Sequence, residues 1–272
     1  MKTIIVATDF SDSAFNATKY AAEMAMAIKA GVLLFHVYDL PTVYSEVPFA
    51  IGETEIRNQA QSEINVLKSV IENLTNNKIV VKTELRMGSF FKELKGVCKE
   101  VEPYAVILGS QGKSAVERLF FGSNTIHVMK HLTWPLITVP AGARFSSVKK
   151  IGLACDLHEV VDTVPVDEIK MLVNDFKAAL LVLNTGKQEV YDPEIVFETG
   201  LLQEMLIGLN PSYHFITSEN LDNGILEFCE KNQIDLLVVF PKRHGLLDAL
   251  MHKSHSKQLV LHSHVPVLAL HQ

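Results

Sequence analysis

The 272 residues carry a net charge of −6 and a pI near 6.0, with 48% hydrophobic and 21% charged side chains. This composition folds, it leaves room for two domains of ordinary size, and it is far from that of a disordered chain. The negative balance, without a stripe of Lys and Arg interleaved with aromatics, argues against nucleic acid as a partner, and no apolar run approaches the roughly 18 residues of a membrane span.

Met1-Lys2-Thr3-Ile4-Ile5-Val6-Ala7-Thr8-Asp9 turns polar too early for a secretory leader, so the expected location is the cytoplasm. Short β-branched runs then alternate with helix-period segments, the pattern of a parallel sheet covered by helices. Strands are expected at Thr3–Ala7, Val32–Val37, Ile79–Leu85, Ala105–Leu108 and Leu136–Val139. Helices are expected near Ser13–Ile28, Glu55–Leu74, Phe90–Glu100 and Ser123–His131.

After the turn-rich stretch from Pro140 to Ser147 the series starts again. Lys150–Asp156 repeats the shape of Thr3–Asp9, and Ala179–Asn184 that of Val32–Val37. Ile234–Phe240 then answers Pro103–Gly109, and Pro266–Leu270 answers Pro135–Val139. Four landmarks in one order indicate an internal duplication, with domains over residues 1–142 and 148–272. Cys98, Cys155 and Cys229 are widely spaced in apolar surroundings, so they read as core thiols and not as a disulfide framework or a CxxC site.

Open α/β sheets bind ligands beyond the carboxyl ends of their strands, which directs attention to the loops after strands one and four. The latter reads Gly109-Ser110-Gln111-Gly112, followed by Gly122-Ser123 at the start of a helical run. Glycines allow close approach of backbone to a polyanion, and free amides at a helix start favour phosphate. Gly112-Lys113-Ser114 ends like a Walker A loop, but Ile107 stands where that loop needs its first glycine.

The spacing Gly-x2-Gly-x9-Gly-Ser resembles that of nucleotide-binding members of the universal stress protein family, as does Asp9 after the first strand. The resemblance implies two tandem five-stranded parallel open sheets with helices on both faces, a Rossmann-like fold of the adenine nucleotide alpha hydrolase-like kind. It implies that Asp9 contacts the adenosine portion, while the backbone at Ala7 and Val37 and the side chain of Leu108 line an adenine pocket. Gly109 and Gly112 would approach ribose and phosphate, and Gly122, Ser123 and Asn124 would hold the phosphates. The ligand would be ATP, ADP or AMP, and Mg²⁺ on the phosphates is compatible with such a site.

The bland alternatives are that Asp9 and Ser11 cap the following helix and that the glycines only make turns. Aligning Pro266 with Pro135 places Phe240, Arg243 and Lys253 where Gly109, Gly112 and Gly122 stand, while Asp156 and Ser254 match Asp9 and Ser123. No ATP is expected in the second half. That half holds His244, His252, His255, His262, His264 and His271, which read as solvated surface histidines better than as metal ligands.

The functional expectation is an ATP-binding stress-response regulator acting through ligand-dependent conformation or assembly, with at most weak ATPase activity. Two alternatives stand: a slow ATP hydrolase or adenylating enzyme of the same superfamily, and a ligand-free interaction protein. The adenylating enzymes carry other phosphate loops after strand one, where this chain has Asp9-Phe10-Ser11-Asp12-Ser13. The resemblance implies that the two halves pair about their final strands, for which Leu136–Val139 and Val267–Leu270 are apolar enough, and the family makes a homodimer and a protein partner compatible with the chain.

Overall fold

The computed structural model of the chain describes residues 1–39, 52–110, 123–184, 193–216, 218, 220–241, 259 and 263–271. Its first half runs β1 (Thr3–Ala7), α1 (Asp12–Ile28), β2 (Gly31–Tyr38), α2 (Glu53–Leu74), β3 (Val81–Met87), α3 (Phe90–Val101), β4 (Ala105–Gly109), α4 (Ser123–His131) and β5 (Leu136–Val139). The second half follows as β6 (Lys150–Cys155), α5 (Val160–Thr163), α6 (Val166–Phe176), β7 (Ala179–Asn184), α7 (Pro193–Met205), β8 (Ser212–Phe215), α8 (Leu221–Asn232), β9 (Leu236–Val239) and β10 (Val267–Ala269). Strands β1, β5 and β7 and helix α4 begin and end at the residues expected from the pattern.

The two expected five-stranded sheets are halves of one ten-stranded sheet, in the order β3-β2-β1-β4-β5-β10-β9-β6-β7-β8. Pairing is parallel within each half and antiparallel at the centre, where Val267, Leu268 and Ala269 of β10 face Thr138, Ile137 and Leu136 of β5. Strands such as Thr-Ile-Ile-Val-Ala read as continuous apolar runs because helices cover both faces of the sheet. One apolar layer joins the sheet to α1, α2, α5, α6 and α7 across both halves, and another joins it to α3, α4 and α8.

The inter-half connection is anchored as well as short. Asn16 of α1 donates to the carbonyls of Pro140 and Ala143, and Phe145 packs between Tyr20 of α1 and Phe176 of α6. Lys2 pairs with Asp175 of α6 and lies 5.0 Å from the centre of the Tyr104 ring. All three cysteines are buried thiols outside any disulfide, and burial pushes the Cys98 and Cys229 thiols up to about 12, which keeps those two unreactive.

Central pairing leaves β3 and β8 as the outer edges. Charged Lys82, Glu84 and Arg86 alternate along β3, with Arg86 held by Glu84 and Glu100, and β8 is only four residues long. Both are ordinary protections of an exposed edge. Ile137 is 1% exposed at the seam, where it meets the cavity wall formed with Leu172 and Leu268. Ile137→Ala should cost about 2–5 kcal/mol of unfolding free energy in chemical denaturation. Val66→Ala, at a position 63% exposed on α2, should change it by less than about 0.5 kcal/mol.

Candidate functional site

The loop after β1 is a tight, side-chain-braced turn into α1. The Thr8 amide extends the ladder by donating to the Phe35 carbonyl at 2.9 Å, after which the Phe10 amide donates to Thr8 Oγ1 at 3.0 Å. Asp9 Oδ1 accepts from the Ser11 amide at 3.0 Å, and Ser11 Oγ accepts from the Ala14 amide at 3.1 Å. Ser11 is therefore the N-cap of α1, as the capping alternative holds for this residue, whereas Asp9 braces the turn before it. Asp9 itself is exposed.

Phe10 adopts a left-handed conformation at φ 61°, which costs a bulky residue about 1–2 kcal/mol. Its ring compensates by lying 4.5 Å from the ring of His36, whose Nδ1 donates to the Thr8 carbonyl at 2.7 Å. That bond requires the Nδ1–H form of the imidazole. His36 and Phe10 escaped the sequence reading; the only signal was a polar residue interrupting the apolar run of β2 near its carboxyl end.

The register brings three of the expected residues to one place. Ala7 aligns with Phe35 on β2 and Val6 with Ile107 on β4, so Ala7, Val37 and Leu108 lie at the carboxyl ends of three adjacent strands. All three belong to the apolar layer on the α3 and α4 face; Ala7 and Leu108 are buried and Val37 is half-buried.

Gly109 has a packing role that the sequence reading did not assign. A Cβ there would lie 2.6 Å from Ser13 Oγ and 2.8 Å from the Ser13 carbonyl oxygen, so glycine is demanded by the packing of β4 against the first turn of α1. The next amide, Ser110, donates to the Val139 carbonyl at 2.9 Å. Ser123 and Asn124 open the backbone of α4. Gly112 and Gly122 lie outside the described residues, as do the side chains of Ser123 and Asn124.

The second half repeats the turn with different atoms. Leu157 takes a left-handed φ of 53° and its amide donates to Cys155 Sγ at 3.4 Å, matching Phe10 on Thr8. The helix that follows is broken at Val164-Pro165 into α5 and α6, where the first half has the continuous α1. Phe240, at the position of Gly109, is half-buried against the apolar layer, so the close helix–strand approach is not repeated. Arg243, Lys253 and Ser254 are outside the described residues, along with His244, His252, His255 and His262. His264 is exposed, but His271 is structural: its Nε2 donates to the Met129 carbonyl at 2.6 Å and ties the end of the chain to α4. The reading of His271 as a solvated histidine is corrected accordingly.

A family model described as "Universal stress protein family" matches residues 1–140 and 202–271, covering parts of both halves. The chain belongs to the universal stress protein family. Universal stress protein MJ0577 of Methanocaldococcus jannaschii is 24% identical over 152 residues, covering 51% of this chain and 94% of that protein. Universal stress protein MJ0531 of the same organism is 23% identical over 141 residues, 51% of this chain and 81% of its own length. A crystal structure of a universal stress protein from Archaeoglobus fulgidus superposes with a TM-score of 0.77 at 17% identity, over 99% of this chain and 98% of its own. The first relatives span one half of the chain and the solved structure both halves, so the arrangement is a tandem universal stress fold. Among the described residues no helix is long and apolar enough to cross a membrane.

The geometry of Gly109 separates packing from ligand contact. Gly109→Ala should destabilise the protein by about 1–3 kcal/mol in chemical denaturation with no nucleotide present, because the Ser13 backbone has to move. A glycine needed only for ligand approach would leave the unliganded stability unchanged.

Proposed function

We propose that the chain is an adenine-nucleotide-binding regulatory protein with one site, in its first half. The observation that carries this reading is the convergence of Ala7, Val37 and Leu108 on one face at the carboxyl ends of adjacent strands, with Asp9 exposed beside them. An apolar cluster at the strand ends with a carboxylate near it suits a purine and its ribose, the former against the apolar side chains and the latter hydrogen-bonded.

In this reading the backbone at Ala7 and Val37 and the side chain of Leu108 flank the adenine, and Asp9 accepts from the ribose hydroxyls. Gly109 and Gly112 bring backbone to the ribose and phosphates, and Gly122, Ser123 and Asn124 hold the phosphates at the start of α4. ATP, ADP and AMP share the adenosine part, and Mg²⁺ would bind through the phosphates of the longer ones. The bound form would then differ in conformation or assembly from the free one, and a protein partner would read the difference. Phe240 in place of a glycine supports leaving the second half without a nucleotide.

Calorimetric titration with ATP, ADP and AMP, with and without Mg²⁺, tests the reading. The wild type should bind at least one adenylate, and Gly112→Val combined with Gly122→Val should weaken binding at least tenfold. Asp9→Asn should weaken it about tenfold while keeping an acceptor for the Ser11 amide, so its unliganded stability stays near that of the wild type. No binding by the wild type, or equal binding by the double variant, contradicts the site. Fast phosphate or pyrophosphate release during the same titration would favour the enzymatic alternative.

A further inference from the structure

Helix α4 reads Ser-Asn-Thr-Ile-His-Val-Met-Lys-His, with His127 and His131 one turn apart. The sheet claims Val128, Met129 and Leu132, all buried, while both histidines are exposed. Packing against the sheet thus leaves the choice of residue at 127 and 131 open. Residues four apart on a helix have Cβ atoms about 5–6 Å apart, yet these two ring centres lie only 4.5 Å apart, with planes inclined by 49°. The rings converge.

Phe91 of α3 forms one wall of the pair. Its ring meets His127 edge-on at 4.6 Å and 84°, and stands 6.3 Å from His131 at 72°. An aromatic wall limits the rotamers of both imidazoles, which lowers the entropy lost when they are fixed on a common ligand.

Two imidazole nitrogens bound to one cation at about 2.1 Å, with an angle near a right angle or slightly wider, place their ring centres roughly 4.5–5 Å apart. The observed separation of the ring centres, 4.5 Å, stands at the lower end of that range. The negative end of the α4 dipole falls in the turn that carries His131 and favours a cation there, with Lys130 of the same turn as the opposing charge. The spacing is also that of the two helical histidines in the HExxH zinc motif, without its glutamate.

We propose that His127 and His131 form an open two-imidazole site for a divalent transition metal of the Zn²⁺, Ni²⁺ or Cu²⁺ class. Imidazole suits these ions, whereas Mg²⁺ and Ca²⁺ prefer oxygen. Among the described residues no group of three or more His, Cys, Asp or Glu is placed to hold a metal, so water or an outside ligand completes the coordination. Bridging successive turns, the metal stabilises α4 by mass action. The proposal stands apart from the nucleotide reading, because none of its residues is assigned to the nucleotide.

The test uses tag-free full-length protein stripped with chelator and titrated with Zn²⁺ and with Ni²⁺ by calorimetry. The wild type binds one ion per chain with micromolar affinity, and His127→Gln with His131→Gln weakens that event at least tenfold. His264→Gln, at an exposed histidine elsewhere, leaves it unchanged, and Mg²⁺ produces no such event. In the wild-type protein the imidazole ¹⁵N resonances of His127 and His131 shift first as Zn²⁺ is added, a readout that does not depend on how the variants fold. Absence of binding, equal affinity in the double variant, or first shifts at other histidines overturns the proposal.

Discussion

The antiparallel contact between β5 and β10 is the interaction on which the rest of the molecule depends. Leu136, Ile137 and Val139 on one side and Val267, Leu268 and Ala269 on the other are buried, so either half alone would present an apolar strand edge to water. Joining the edges makes one sheet and lets two apolar layers run across both halves. It also fixes direction. Because strands are parallel within each half and antiparallel at the seam, the carboxyl ends of β1, β2 and β4 point opposite to those of β6, β7 and β9. The candidate site and its counterpart open at opposite ends of the sheet, and each must be judged on its own residues.

Judged so, the two ends share a scaffold and differ in chemistry. Each builds a turn with a left-handed residue, Phe10 or Leu157, whose amide is held by a side chain two residues earlier. The first then launches a continuous α1 packed so closely on β4 that position 109 has no space for a Cβ. The second breaks its helix at Val164-Pro165 and carries Phe240 instead. A duplicated frame with one altered end is what supports the proposal of a single nucleotide site.

Much of this was legible in the residue pattern. Strands buried on both faces, such as Thr3–Ala7 and Leu136–Val139, announce themselves as short β-branched runs, and the internal repeat marked their counterparts. The pairing of the last strands came from the family resemblance, and their apolar character was only compatible with it. Other features were not legible. Strand β8, Ser-Tyr-His-Phe, is four residues long with no buried side chain, too short for a period to stand out, and α7 has apolar residues all round, with Val196 and Phe197 exposed. The bond of His36 and the packing of Gly109 depend on neighbours distant in sequence, Thr8 and Ser13, so neither was legible in the local pattern. His271 was misread for the same reason: its partner, the Met129 carbonyl, belongs to the other half.

The central claim, one adenylate bound in the first half only, is tested most directly by photolabelling with 8-azido-ATP and mapping the modified peptides by mass spectrometry. The account predicts labelling at the carboxyl ends of β1, β2 and β4, in peptides containing Ala7 to Ser13, Val37 or Leu108, and its suppression by excess ATP. ATP-protected labelling at Cys155 to His158 or around Phe240, or no protected labelling anywhere, would contradict it.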